Sequence, residues 1–391
     1  MKKLLLLFLL VSSTIVCQTN TAIYVFDIEQ HNETYQLTNQ KKISNSQGYN
    51  SQPFFYDDEQ ITFASTHYNF TDIVLYNLQN DSKRFISNTE NGGEYSPQRI
   101  PNSNTISAVR LDADGLQRFY EYDFTSGKDK EIIADLKVAY PNWFDKNTLL
   151  AVSIVNDSLE LFISDIKKKT SVSMTKNVGR SVHRIPNSDL MSFISKENKS
   201  SWVLKSINPK TQEIKTITGL GKSEDITWLP NGTLLISNEN SIYKFNPKKD
   251  KNPSLFFRFM DENINNISRM AVNDDGSKIA IVAEVSPEYL AKEQLAGYNN
   301  RDIEAFLKPF AKGVKVYRFP NTLRYEGLEN MRKNYTSFFE NTPDLHCKIL
   351  KRIVFKDKVI DHELVTANGN TFKAVAVYEI KNGKIVSVTF M

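Results

Sequence analysis

Cysteine is almost absent from this sequence, which holds only Cys17 and Cys347 among its 391 residues. Cys17 lies within a segment that we expect to be removed, so Cys347 is the one cysteine certain to remain in the mature chain. A lone thiol cannot form an internal disulfide, which excludes a disulfide-stapled scaffold. The five histidines are scattered. No Cys/His cluster has the spacing of metal ligands, and we expect neither a metal nor a cofactor.

Long apolar runs are also missing, apart from Leu4–Val16, which follows two lysines. Its thirteen residues are too few for a membrane span, which needs about 20. A short basic region before such a run is typical of a signal peptide, so we expect residues 1–18 to be removed and the protein to be periplasmic or extracellular. Lipid attachment at Cys17 is the less favoured alternative, because a small residue normally precedes a lipidated cysteine and here a valine does.

The chain has no large excess of charge of one sign. The formal net charge is +4 over the whole length, and no arginine-rich stripe is present. Nucleic-acid binding depends on a basic patch or stripe, so nucleic acid is not an expected partner.

One short strand pattern recurs through the first two thirds of the chain. Apolar and aromatic residues alternate, an Asp or Asn follows, and a turn comes next. The starts of successive copies lie 38 to 50 residues apart, and period-two alternation indicates strands. Such a period is typical of a four-stranded propeller blade. The copies are Ile23–Ile28, Ile73–Leu78, Phe119–Phe124, Leu161–Ile166, Leu204–Pro209 and Ile242–Pro247.

A second element precedes most copies, and its aromatic residue lies just before a hairpin turn. Trp143 precedes Asp145-Lys-Asn147, and Trp228 precedes Pro230-Asn-Gly232. Asp-Asp, Asn-Gly and Asp-Gly are typical turn residues because they tolerate positive φ. We expect the aromatic side chain to pack between adjacent blades. Together the two elements resemble the TolB-like, WD-type propeller repeat over residues 20–285.

The two ends of this segment complement each other. The first strand pair, Ile23–Ile28 and Tyr35–Ile43, has no half-blade before it, and the last half-blade, 268–283, has no strand pair after it. Joined, they complete one blade and pair strand edges that would otherwise be open. The sequence therefore predicts an all-β propeller of six blades, closed by its N-terminal strands.

The pattern changes after Ser286-Pro287. Residues 288–311 and Leu328–Phe339 have helical spacing, and four alternating segments follow, at Cys347–Phe355, Lys358–Thr366, Phe372–Ile380 and Ile385–Phe390. Helices followed by an antiparallel sheet indicate a separate α+β domain over residues 286–391.

This second segment resembles the nuclear transport factor two-like superfamily, in its SnoaL-like and ketosteroid-isomerase-like branch. The resemblance lies in Gln294–Ile303, Val314–Pro320, Gly327 and Gly383–Ile385. It implies a curved sheet and helices around a cone-shaped pocket, often in a homodimer. On this basis we place Tyr298, Tyr317, Phe319, Ala376 and Tyr378 at the pocket. The three tyrosines would line its wall and offer their hydroxyl groups to a ligand. The alternative is that they are ordinary core aromatic residues.

The catalytic aspartates of the isomerases are not found at the matching positions. The resemblance places their general base at Phe319 and their protonated aspartate at about Ala376. Proton abstraction needs a base within hydrogen-bond reach, so isomerisation by that mechanism is disfavoured. Asp361, His362 and Glu363 are the alternative catalytic candidates, with the two carboxylates on one face of a strand and the histidine on the other. The competing interpretation is a solvated or dimer-facing strand with an ion pair, for example to Arg352.

The sequence favours a non-enzymatic binding or scaffold protein. Its propeller would contact a protein or glycan, and its cone would bind a small apolar ligand or form a dimer. An isomerase, hydratase or cyclase using Asp361 or Glu363 as its base is the rival, and carboxylates that line the cone would favour it. A sensor component of an envelope complex is the third possibility, resting on the TolB-like resemblance alone.

Overall fold

The computed structural model describes residues 20–31, 34–45, 48–67, 70–90, 92–261, 263–381 and 383–391. The predicted signal peptide and Cys17 lie outside these residues. Within them, none of the helices has both the length and the apolar character that crossing a membrane requires.

The N-terminal segment consists of strands in antiparallel meanders. Its first ten strands are β1 (Thr21–His31), β2 (Thr34–Lys42), β3 (Asn50–Phe55), β4 (Gln60–His67), β5 (Phe70–Asn77), β6 (Lys83–Phe85), β7 (Gly93–Arg99), β8 (Thr105–Leu111), β9 (Gln117–Asp123) and β10 (Asp129–Ile133). Strands β3 to β6 and β7 to β10 are two such meanders. A single parallel pair, Thr71 with Gly93, joins them into one eight-stranded sheet.

Three separate four-stranded sheets follow in chain order. Their strands are β11 (Val138–Trp143), β12 (Thr148–Val155), β13 (Ser158–Asp165), β14 (Thr170–Lys176), β15 (Val178–Arg184), β16 (Met191–Ser195), β17 (Trp202–Ile207), β18 (Ile214–Gly221), β19 (Ile226–Trp228), β20 (Leu234–Asn238), β21 (Ser241–Phe245) and β22 (Ser254–Arg258). Strand β16 is buried along its whole length.

The last two strands of the segment join the first two. Strands β23 (Asn265–Val272) and β24 (Lys278–Glu284) form a sheet in the order β2-β1-β24-β23. Strand β1 runs antiparallel to β24, from the Thr21–Glu284 pair to the Asp27–Lys278 pair. The two ends of the segment are therefore held by backbone hydrogen bonds.

Two tryptophans connect neighbouring sheets in the same way, through a hydrogen bond from the indole to a serine hydroxyl. Trp143 Nε1 donates to Ser107 Oγ at 2.8 Å, and that hydroxyl donates to the Gln98 carbonyl oxygen at 3.2 Å. Trp228 Nε1 donates to Ser192 Oγ at 2.9 Å in the corresponding place. Both indoles are buried. The aromatic residue before the turn thus packs against the sheet that precedes its own, with its one polar group satisfied.

The C-terminal segment is an α+β unit around a six-stranded sheet. Its elements are α1 (Pro287–Asn300), α2 (Ile303–Leu307), β25 (Phe310–Arg318), β26 (Thr322–Glu326), α3 (Leu328–Glu340), β27 (His346–Phe355), β28 (Lys358–Ala367), β29 (Asn370–Lys381) and β30 (Lys384–Phe390). The strand order is β26-β25-β30-β29-β28-β27, and β25 runs parallel to β30.

The helical prediction for 288–311 was too long at its C-terminal end. The first helix stops at Arg301, which has φ of 53°, and Asp302 caps α2 by accepting from the backbone N–H groups of Glu304 and Ala305. Strand β25 already begins at Phe310, directly after Pro309, which has no N–H with which to continue the helix. Gly297 is required where α1 meets α2, since a Cβ there would lie 2.3 Å from the Phe306 backbone nitrogen.

We predict that Trp143→Phe lowers the free energy of unfolding by about 1–2 kcal/mol, because it leaves the Ser107 hydroxyl without its buried donor. Urea denaturation followed by circular dichroism measures the change. In a Ser107→Ala background, Trp143→Phe should lower the free energy of unfolding by clearly less. Equal costs in the two backgrounds would contradict a contribution from the hydrogen bond.

Candidate functional site

A cavity of about 740 Å³ lies between the concave face of the C-terminal sheet and the three helices. Its walls are mostly apolar and aromatic. They are formed by Gln294, Leu295, Tyr298, Phe306, Phe310, Val316, Arg324, Tyr325, Met331, Asn334, Tyr335, Phe338, Cys347, Glu363, Val365, Phe372, Ala374, Tyr378, Val388 and Phe390.

The burial of these residues gives the cavity an inner and an outer end. Gln294, Glu363 and Tyr378 are buried, whereas Arg324 and Phe372 are exposed. A ligand that enters past Arg324 and Phe372 would therefore reach its last polar contacts at Glu363 and Tyr378.

The inner end carries a short hydrogen-bonded chain. Gln294 Nε2 donates to the Tyr378 hydroxyl at 2.9 Å, and that hydroxyl donates to Glu363 Oε1 at 3.3 Å. Burial, followed by the charge of Asp361, raises the pKa of Glu363 from 4.5 to about 7. Near neutral pH this carboxyl is therefore present both as a proton donor and as a proton acceptor.

Asp361 lies on the same face of β28 but has a different environment. Its side chain is fully buried, and Arg352 on the neighbouring strand holds it through two hydrogen bonds of 2.6 Å each. Arg352 also lies 3.5 Å from Glu288 on α1. This ion pair fixes α1 to the sheet, and Asp361 does not line the cavity. The sequence suggested an ion pair between this strand and Arg352. Asp361 forms that ion pair, and Glu363 does not.

The other sequence-predicted residues divide between the cavity and its surroundings. Tyr298 and Tyr378 line it together with Glu363, whereas Tyr317, Phe319, Ala376 and His362 do not. Val316 lines the cavity, and strand alternation turns Tyr317 to the other face of the sheet. For the same reason His362 faces away from Glu363.

Phe319 and Ala376 fail as pocket residues for different reasons. Phe319 follows the end of β25 and is 59% exposed. Ala376 is on the concave face opposite Asp361 but is completely covered by the domain core.

Cys347 lines the cavity without the properties of a nucleophile. Burial, with smaller effects from Glu363 and Asp361, raises the pKa of its thiol from 9.0 to about 12. The reactive form of cysteine is the thiolate, which this environment disfavours.

Gln294, as a polar contact of the cavity, and Arg324, as a residue of its rim, were not among the residues predicted from the sequence. Gln294 belongs to the stretch that carries the family resemblance, and its helical position among apolar residues was the available signal. Arg324 has no comparable signal, since its orientation depends on an irregularity in strand pairing.

A second, much smaller cavity lies in the N-terminal segment. It has a volume of about 80 Å³ and is lined by residues of β3, β7, β11, β15, β19 and β23 or next to them. Arg180 and Arg269 both donate to the carboxylate of Asp225 there, each with one bond of 2.6 Å. These ion pairs occupy the space and leave little room for a ligand.

Glu363→Gln is predicted to change how stability depends on pH. Because the pKa of Glu363 is raised in the folded protein, its stabilising contribution is full below pH 4.5 and is lost as the pH rises through about 7. Over this window the variant should gain stability relative to the parent, by up to about 3 kcal/mol at about 1.4 kcal/mol per pKa unit. Urea denaturation at each pH measures it, with the exposed Glu340→Gln as control. Parallel curves for parent and variant would contradict the raised pKa.

Comparisons with known proteins find two kinds of similarity. Residues 291–388 match the model of the SnoaL-like domain. The structure of putative TolB from Agrobacterium tumefaciens matches at 13% identity with a TM-score of 0.53, covering 68% of this chain and 99% of that one. This identity level supports the fold alone.

An NTF2-like protein of unknown function from Cytophaga hutchinsonii matches at 18% identity with a TM-score of 0.25, covering 28% of this chain and 91% of that one. No curated protein matches the sequence. The chain thus carries a SnoaL-like domain at residues 291–388, and its structure is similar to that of a TolB protein over about two thirds of its length.

Proposed function

We propose that this is an exported binding protein whose SnoaL-like domain holds a small, largely apolar molecule. The observation that carries the proposal is the cavity of about 740 Å³ with aromatic walls and a hydrogen-bonded Glu363 at its inner end. Small-molecule sites typically have volumes of about 300–1,000 Å³, apolar walls and a few placed polar groups.

The N-terminal segment would serve as a six-bladed, closed propeller that contacts a protein or glycan. Six four-stranded units support this arrangement, counting the eight-stranded sheet as two. Their first strands touch in cyclic order, β3 with β7, then β11, β15, β19 and β23, which returns to β3.

One mouth of this ring is the candidate contact surface for the partner. A concavity of about 640 Å³ there is lined by aromatic, proline and arginine side chains, among them the partly exposed Phe54, Phe55 and Arg99 and the exposed Arg184. Tryptophan, tyrosine and arginine are the residues that most often dominate binding energy at protein interfaces. Export rests on the predicted signal peptide and on the similarity to a TolB protein.

Filling the cavity tests ligand binding. Ala374 lines the cavity, and Val375 is its neighbour on the opposite face of β29. Ala374→Phe should remove a co-purifying small molecule by occupying its space, whereas Val375→Phe should retain it. Native mass spectrometry of protein purified from its own envelope fraction measures the bound mass. An empty parent protein, or a mass that persists in Ala374→Phe, would contradict the proposal.

Proton transfer by Glu363 is a second candidate function. An isomerase, hydratase or cyclase would need a carboxylate that lines the cone, and Glu363 meets that requirement. Its pKa of about 7 suits a general base or acid at neutral pH.

The test uses 2-tetralone, an apolar ketone with acidic hydrogens next to its carbonyl, in heavy water. Ionised Glu363 would take a C1 proton, leaving the electron pair on the enolate oxygen, and would return a deuteron. We expect deuterium incorporation to fall on the order of 100-fold in Glu363→Gln and to rise with pH through about 7 in the parent. Glu379→Gln, on the opposite face of the sheet, is the control. Equal incorporation in parent and Glu363→Gln would exclude Glu363 as the base.

A further inference from the structure

Arg324 reaches the rim of the cone because the strand that carries it is irregular. Val316 pairs with Tyr325 while Tyr317 pairs with Leu323, so β26 has one residue more than its partner at Arg324. Such a bulge redirects a side chain that regular alternation would turn away. As a result, the consecutive residues Arg324 and Tyr325 both line the cavity.

Arg324 and Glu363 are the two charged residues among those that line the cavity. They differ in their environments, since Arg324 is exposed and Glu363 is buried. The Glu363 carboxyl accepts a hydrogen bond from the Tyr378 hydroxyl and forms no ion pair with the Arg324 guanidinium.

No carboxylate within the described residues forms an ion pair with Arg324. The acidic residue nearest in sequence, Glu326, lies 3.8 Å from Lys315 instead. The rim of the cone therefore carries a positive charge that the protein itself leaves uncompensated.

The surroundings of Arg324 suit an anion more than a neutral polar group. Tyr325, the next residue on β26, also lines the cavity and gives the guanidinium an aromatic neighbour. A guanidinium binds carboxylate or sulfonate oxygens through two parallel N–H donors, and apolar neighbours strengthen such charge-assisted bonds by reducing competition from water.

We propose, resting on the proposed function of the cone, that its ligand is an organic monoanion: an apolar body inside the cavity and an acidic group held by Arg324 at the rim. The inner end of such a molecule faces Glu363 and Tyr378. A hydroxyl or carbonyl there finds both a hydrogen-bond donor and an acceptor.

Two fluorescent probes separate the anion contact from apolar binding. 1-Anilinonaphthalene-8-sulfonate and N-phenyl-1-naphthylamine share one ring system and differ by the sulfonate. Fluorescence titration of the full chain gives the affinity of each probe. The binding that Ala374→Phe removes is the binding to the cone.

For binding to the cone, Arg324→Gln should lower the affinity of the sulfonate probe about tenfold, equivalent to about 1.4 kcal/mol. It should leave the affinity of the neutral probe unchanged. Lys351→Gln removes an exposed charge on the opposite face of the sheet and should change neither probe. Because Arg324 is exposed, its replacement is not expected to unfold the domain, which circular dichroism checks.

The remaining outcomes distinguish the two proposals. If both probes bind the cone and Arg324→Gln affects them equally, or affects neither, the anion contact is wrong while ligand binding stands. If Ala374→Phe changes the binding of neither probe, the cone binds no ligand of this kind and both proposals fail.

Discussion

The antiparallel pairing of β1 with β24 is the contact on which the arrangement of this chain depends. It joins strands that are more than 250 residues apart in sequence through a continuous ladder from Thr21–Glu284 to Asp27–Lys278. The ladder extends to the Val285 N–H, which donates to the Asn20 carbonyl oxygen at 2.9 Å. Ser286 comes next and caps α1. The same pairing thus completes a sheet of the first segment and sets where the second begins.

The junction is also close-packed on the other side. Gly383, in the hairpin between β29 and β30, lies against Asn20 and Gly48 of the first segment. A Cβ at Gly383 would come within 2.8 Å of the Gly48 backbone nitrogen, and its φ of 69° also favours glycine. The two segments therefore meet where the ends of the first one are paired.

Within the cone, the environment gives two neighbouring carboxyl groups different roles. Asp361 and Glu363 share one face of β28 and are both buried. Asp361 is compensated by Arg352 and stabilises the packing of α1. Glu363 has only neutral hydrogen-bond partners, so burial raises its pKa and keeps it available to a ligand. An uncompensated carboxyl is costly to bury, which makes such a group a marker of function.

Local patterns in the sequence predicted much of this arrangement. The predictions that failed have a common cause. Period-two alternation correctly placed Asp361 and Glu363 on one face, and the unmatched strands at 23–43 and 268–283 indicated the partners that β1 and β24 find.

Alternation alone does not say which face is concave, and Tyr317, which the resemblance placed at the pocket, does not line the cavity. It also does not reveal bulges. The irregularity between Ile349 and Lys351 sets which β28 carboxylate meets Arg352, and the bulge at Arg324 turns that side chain to the cavity. Both depend on strand register, which is a property of two strands and not of one sequence segment.

A crystal structure of the full chain grown with 1-anilinonaphthalene-8-sulfonate tests the central claim most directly. The account predicts the ring system inside the cone, with the sulfonate at the Arg324 guanidinium and the far edge of the rings toward Tyr378 and Glu363. A cone without the probe, at concentrations that saturate its fluorescence, would contradict the claim that this cavity is the ligand site.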